Sequence, residues 1–365
     1  MSYYTLPKIN NIFDFFPSLD EKKSEIYTSH SLFYYYTEYN NNRIPDFDNL
    51  LTIINSHEYI FTKIPIYNYS ISKLKNKSNL FYDLLEILNV LNILDPFTNL
   101  IKINSIHISE NFDESVECVN FLREINNDNN MGLTSISPEI YNIANDENFD
   151  FIFYDIKPAV FEDLNEYCLS MLQILMVIFK CQSNNGNCII KINHVFYKPI
   201  IDILYILSSI YEKIVIIKPN TSNIISFDKY VVCKNFIFNE NKKNIYENYY
   251  LKITEFIYNY GSLKGNNISS IIKCDIPYFF INKIDDINII FGQQQIESFD
   301  QINNIFKNKN KEEKIETIKK GNIQKSSAWC EKFKIPYNKF SDKINMFLPL
   351  KKTFETISET ISETL

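Results

Sequence analysis

Phe149-Asp150-Phe151-Ile152-Phe153-Tyr154-Asp155 is the stretch on which the fold turns. Only Asp150 interrupts its apolar run before the terminal Asp155, and such a strand suits a parallel sheet covered on both faces. The pattern alternates outward from it. Upstream, Ile103–Ser109 predicts a β-branched strand. Asp113–Glu124 predicts a helix opening on acidic residues, as the helix dipole favours, and Gly132–Ser137 a short strand ended by Pro138. Downstream, a long helix is expected from about Phe161 to Lys180. The turn Asn184-Asn185-Gly186-Asn187 then leads into strand Cys188–Ile192. A helix over 199–211 and strands Lys213–Lys218 and Lys229–Phe236 complete the series. Alternating βαβ units of this kind predict a doubly wound α/β sheet.

Outside this region the chain is less regular. Residues 1–60 are rich in aromatics and Asn, and read as an irregular N-terminal extension with short helices. From Ser78 to Leu94, the residues Leu80, Leu84, Ile87, Leu88 and Leu91 fall at helical spacing, and Asp95-Pro96 stops the run. Periodicity weakens after about residue 243, and 306–320 is Lys/Glu-rich, which suits a solvated helix or linker. Order is expected around Trp329-Cys330-Glu331-Lys332, and a frayed tail from Phe354. The division expected is 1–60, a domain over 61–240, a C-terminal extension over 241–350 and a flexible tail over 351–365.

Apolar residues make up 45% of the 365, enough for a real core. A net charge of −7 argues against a broad nucleic-acid coat, though not against a local basic groove. The seven cysteines show no paired or zinc-type spacing, which suits free thiols in a reducing, cytoplasmic setting. The start of the chain has no secretory pattern. The apolar stretch Tyr167 to Cys181 reads as a buried core helix rather than a membrane span.

Three motifs in order resemble the FtsJ-like RNA ribose 2′-O-methyltransferases, covering about residues 78–236. Lys218-Pro219-Asn220-Thr221-Ser222, followed by Ser226-Phe227-Asp228-Lys229-Tyr230-Val231-Val232-Cys233, is similar to the family segment that joins its last two strands. Gly186-Asn187-Cys188-Ile189-Ile190-Lys191 resembles the strand carrying the family's central Lys. Phe149–Asp155 resembles the strand that ends in its catalytic Asp. Trp329-Cys330-Glu331-Lys332 and Ile335-Pro336 are similar to relatives in large DNA viruses. The resemblance implies a Rossmann-like methyltransferase fold, with a mostly parallel doubly wound sheet and an antiparallel last strand. It also implies S-adenosylmethionine as cofactor and RNA, capped mRNA above all, as substrate. A protein partner in a transcription or polymerase complex has precedent among viral members, with host cytoplasm or virion as location. No membrane and no metal are expected.

The family's Lys–Asp–Lys–Glu tetrad carries over unevenly. Asp155 matches the Asp and Lys191 the central Lys, while Asp228 stands in place of Glu, one methylene shorter. The helix Ser78-Asn79-Leu80-Phe81-Tyr82-Asp83-Leu84-Leu85-Glu86-Ile87 matches the family's except that Asp83 stands where the first Lys belongs. Lys191 would then lie among three carboxylates, which favours its ammonium form and makes it a poor general base. The cofactor turn departs as well. Residues 1–131 contain no glycine, and Ser109-Glu110-Asn111-Phe112, with Asp155, take the cofactor-binding positions. The resemblance therefore implies a methyltransferase whose activity and cofactor binding are weakened or lost. The alternative is a catalytically inactive subunit that binds RNA or a partner protein.

Residue by residue, plainer readings stand beside these. Asp155 would close a strand, Lys191 snorkel at a strand end, Asp228 lie in a surface turn and Asp83 face solvent. His107 and His194 read as satisfied strand and loop histidines. The cluster Phe33–Tyr36 reads as packing, with base stacking as the alternative.

Overall fold

The structure is a computed structural model. It describes residues 2–10, 14–21, 47–64, 68–75, 77–100, 102–124, 127–136, 148–155, 163–238, 240–261, 266–308 and 312–338. The Phe33–Tyr36 cluster, Pro138 and the C-terminal tail lie outside these.

The central sheet has seven strands in the order β1-β7-β8-β6-β5-β3-β4. They are β1 (Ser2–Thr5), β3 (Asn104–Ser109), β4 (Asn129–Leu133), β5 (Phe149–Asp155), β6 (Gln182–Ile192), β7 (Tyr211–Lys218) and β8 (Lys229–Phe236). β4, β3, β5 and β6 run parallel, and β8 inserts antiparallel between β6 and β7. This is the Rossmann-like methyltransferase arrangement, with its antiparallel last strand. β5 earns its central place through burial: Phe151, Ile152 and Phe153 are wholly inaccessible.

Helices cover both faces. One carries α4 (Leu164–Cys181), α5 (Lys198–Ile210), α6 (Glu240–Tyr260) and α7 (Tyr278–Lys307), whose apolar residues share a core with Ile152, Ile190 and Val231. The other carries α2 (Asn79–Val90), α3 (Phe112–Arg123) and the end of α8 (Glu312–Lys332), packed on Phe151, Ile189 and Val232. α1 (Phe47–Ile54) forms a satellite cluster with α7. Helix α4 begins at Asp163, whose carboxylate accepts from the backbone N–H of Asn165 (2.8 Å) and Glu166 (3.2 Å). It is apolar and long enough to cross a membrane, yet Leu172, Ile174 and Leu175 are wholly buried in the core.

The structure differs from the sequence pattern at several elements. Residues 2–5 are a strand, not irregular chain, pairing antiparallel with β7 from Ser2↔Lys218 to Thr5↔Val215. β2 (Phe15–Asp20) pairs with β9 (Asn267–Ile272) in a small second sheet. The expected strand at Gly132–Ser137 lies earlier, at Asn129–Leu133, because its partners are set by β3. Gly132 matters there: a Cβ on it would fall 2.1 Å from the Phe112 ring, so the ring rests on bare β4 backbone. β6 starts six residues before Cys188, with Asn185 (φ 61°) absorbing the turn in the left-handed region that Asn tolerates. Past residue 243 the chain continues as long helices, where the sequence pattern is weak.

His107 lies inside the sheet, bonded to the Ser105 and Ser115 hydroxyls at 2.9 and 2.8 Å. Burial pulls its pKa down to about 3 from the ordinary 6.5. A depressed folded-state value means that the unfolded chain takes the proton first. Stability from the neutral ring is therefore complete above about pH 6.5 and lost as pH falls toward 3. Buried carboxylates with raised values work in the opposite direction, so a variant must isolate the histidine. Urea unfolding of wild type and His107→Asn should show a stability gap that narrows by about 1 kcal/mol per pH unit below pH 6.5. A gap independent of pH would refute this.

Candidate functional site

A row of side chains crosses the carboxyl end of the sheet on the α2 face. Ser109 pairs with Asp155, Lys191 with Tyr230, and Tyr230 with Ile217. β5 and β6 run parallel in register from Phe151↔Asn187 to Tyr154↔Ile190, so Asp155 and Lys191, the next residues along, stand at adjacent strand ends. The Lys191 ammonium meets the Asp155 carboxylate at 3.2 Å and lies 6.0 Å from the centre of the Tyr230 ring. Burial by itself would lower the Lys191 pKa. Asp155, Asp228 and Asp83, in that order, outweigh it and raise the pKa above the ordinary lysine value.

Asp83 does not face solvent. It is 3% exposed, on a helix buried along nearly its whole length. Three hydroxyls close around its carboxylate: Thr221 on Oδ1, and Ser222 (2.6 Å) and Tyr230 (3.1 Å) on Oδ2. Burial pushes this carboxyl upward, while Ser222, Thr221, Lys191 and Tyr230 pull it back. A hydroxyl both donates and accepts, so the same cage could accept a lysine ammonium at position 83.

Asp228 sits half-buried at the end of the 219–228 loop and acts on Lys191 through space, while the ion pair goes to Asp155. The shorter side chain is consistent with that division.

The loop itself is clamped. Glu86, one turn beyond Asp83, accepts from Asn220 N–H (3.0 Å), Asn220 Nδ2 (2.8 Å) and Trp329 Nε1 (3.1 Å). Gln295 of α7 donates to the carbonyls of Ile225 (3.1 Å) and Ser226 (2.9 Å). Asn55 accepts from Ile224 N–H at 3.3 Å. Sequence reading assigned no role to Glu86, Thr221, Ser222, Tyr230 or Trp329. All five lie in motifs it quoted, so the signal was present without its geometry.

The cofactor positions are less complete. Between β3 and α3 the turn is only Glu110-Asn111, both exposed, with Asn111 N–H donating to Ser109 Oγ at 3.2 Å. Phe112 already opens the helix. A two-residue turn carrying side chains does not fit S-adenosylmethionine as a glycine-lined approach would. Among the described residues, no cluster of three or more His, Cys, Asp or Glu could hold a metal. The His194 Nδ1 is buried without a partner among the described residues.

Fold and row together define a Rossmann-like α/β domain with a lysine–carboxylate site at its carboxyl edge. The cap-specific mRNA (nucleoside-2′-O-)-methyltransferase 1 of Dictyostelium discoideum is 23% identical to the chain over 203 residues, 52% of this chain and 26% of that protein. The chain thus spans about a quarter of that relative's length. This likeness supports a relationship to the methyltransferases at that coarse level. No family model matches the chain. A solved Streptococcus thermophilus chain described as a hemolysin is 14% identical, with a TM-score of 0.26, covering 52% of this chain and 78% of its own; a score that low carries no argument.

Replacing Trp329 by Phe keeps the ring against Tyr82 but leaves buried Glu86 one donor short. Denaturant unfolding followed by circular dichroism should show a loss of about 1–3 kcal/mol. An unchanged midpoint would show that the Trp329–Glu86 bond adds nothing to the clamp.

Proposed function

We propose that the chain is a degenerate relative of the cap-directed RNA ribose 2′-O-methyltransferases, with RNA as its partner and little methyl transfer of its own. One observation carries this reading: Lys191 is ion-paired to Asp155, and Asp83 adds a third carboxylate where a second cation would be needed. Methyl transfer from a sulfonium to a ribose hydroxyl requires a base that takes the hydroxyl proton as the oxygen attacks. An amine stabilised as ammonium has no lone pair to offer. A lysine at position 83 would repel the Lys191 proton and return its pKa toward the working range. The same reading assigns S-adenosylmethionine weak or no binding, through the short Glu110-Asn111 turn. It gives the protein a binding or assembly role beside a transcription or polymerase complex.

The test is methyl transfer to capped RNA by mass spectrometry, for wild type and Asp83→Lys, with cofactor binding by calorimetry. Wild type is expected near background. Asp83→Lys should raise transfer by at least roughly tenfold wherever cofactor binds. Near-normal turnover by the wild type would overturn the proposal. No gain in a variant that binds cofactor would overturn its electrostatic basis.

A further inference from the structure

Two lysines on the opposite face of the same sheet edge take no part in the Lys191 site. Lys229 pairs across from Ile192, one residue out of step with Lys191↔Tyr230, so its side chain points to the α7 face. Lys218 ends β7 one residue past Ile217↔Tyr230 and therefore stands beside Lys229. The Lys229 side chain is buried, and its ammonium donates to the carbonyls of Asn193 (2.8 Å) and Phe227 (2.9 Å). Lys218 turns its ammonium onto Ser226 O (2.5 Å), Ser226 Oγ (3.4 Å) and Asp228 O (3.1 Å). Among the described residues neither lysine makes an ion pair. An ammonium has three N–H groups, and Lys229 uses two.

Both lysines line one pocket under α7, walled by Phe196, Phe227, Phe291 and Gln295. Its interior holds about 20 Å³, room for roughly one oxygen-sized atom. We propose that this pocket is an oxyanion subsite of phosphate class, taking one phosphate oxygen between Lys218 and Lys229 while the rest of the group faces outward. The physical argument is charge compensation. A buried and a half-buried ammonium side by side, with carbonyls, a hydroxyl and the Phe291 ring (5.9 Å from Lys229 Nζ) for partners but no carboxylate in contact, are costly, and an anion removes that cost. Among the described residues Asp228, the one counter-charge acting on both lysines, also acts on Lys191.

Proton linkage follows. Burial, with Lys218 adding to it and Asp228 opposing, pulls Lys229 down to about 7. Burial pulls Lys218 down to about 8, against Asp228 and Asp83. The charged groups facing Lys229 are Lys218 from β7 and Asp228 from the loop. His194 follows β6, and α7 contributes the uncharged Asn288, Phe291, Gly292 and Gln295 to the pocket. Anion binding should therefore take up protons and tighten as pH falls through this range.

The test is calorimetric titration of the full chain with inorganic phosphate at pH about 6.5 and about 8.5. Wild type should bind at least roughly tenfold more tightly at the lower pH. Lys229→Met should lose that binding. Because this variant could perturb folding, Gly292→Leu provides a second arm that fills the pocket and leaves both lysines in place. It too should abolish binding. A short oligoribonucleotide that displaces phosphate would identify an RNA backbone as the source; failure to displace it would identify a free phosphate. No phosphate binding by the wild type, or equal binding by all three proteins, would overturn the proposal. The measurement involves no methyl transfer, so its failure leaves the reading of Lys191 standing.

Discussion

A lysine taken out of water at the end of a buried strand costs several kcal/mol unless a counter-charge meets it. Lys191 is such a lysine, and Asp155 on the adjacent strand meets it at 3.2 Å. That pair can form only if β5 and β6 run parallel and in register, since register fixes which side chains share a row. Ser109, Tyr230 and Ile217 then take their places in the same row. Phe151, Phe153 and Ile189 lie wholly buried beneath it, while the Lys191–Asp155 pair itself keeps a little exposure. Charge on one strand end therefore constrains the loops and helices that gather around it.

The charges near the sheet's carboxyl edge divide into three carboxylates, Asp83, Asp155 and Asp228, and three ammoniums, Lys191, Lys218 and Lys229. Asp228 acts on cations of both faces. It ties the environment of the Lys191 row to that of the α7 pocket through a single side chain. The 219–228 loop carrying it is held by Glu86 of α2, itself bonded by Trp329 of α8, and by Gln295 of α7. Helices from the chain's last third thus complete a site whose residues come from its middle. A clamp made of buried hydrogen bonds resists local opening, because each freed group would be left unpaired in the interior.

Much of the scaffold was legible in the sequence. The runs read at 103–109, 149–154, 213–218 and 229–236 are β-rich and bounded by turn signals, and each falls on a strand: Asn104–Ser109, Phe149–Asp155, Tyr211–Lys218 and Lys229–Phe236. The antiparallel last strand was expected only through the resemblance to the methyltransferases, since strand order along the chain does not set strand direction. Asp155, Lys191, Asp228 and Asp83 could be named from motif position, as could the short turn at Glu110-Asn111. The strand at residues 2–5 could not be found this way, because four residues carry no periodicity and pairing with β7 comes from far along the chain. α6 was missed because its apolar stripe is interrupted by Lys, Glu and Asn, and α8 was anticipated only in part, as a solvated helix or linker over 306–320.

What sequence alone determined is the set of local preferences: which segments extend, which coil, and which charged types stand at which strand ends. Tertiary structure decided the environment those charges meet. Asp83 lies on a helix whose polar residues would ordinarily face water, yet it is buried, because Thr221, Ser222 and Tyr230 arrive from far along the chain to bond it. Burial and long-range hydrogen bonding depend on elements that the local chain does not specify, and together they set which protonation state each group holds.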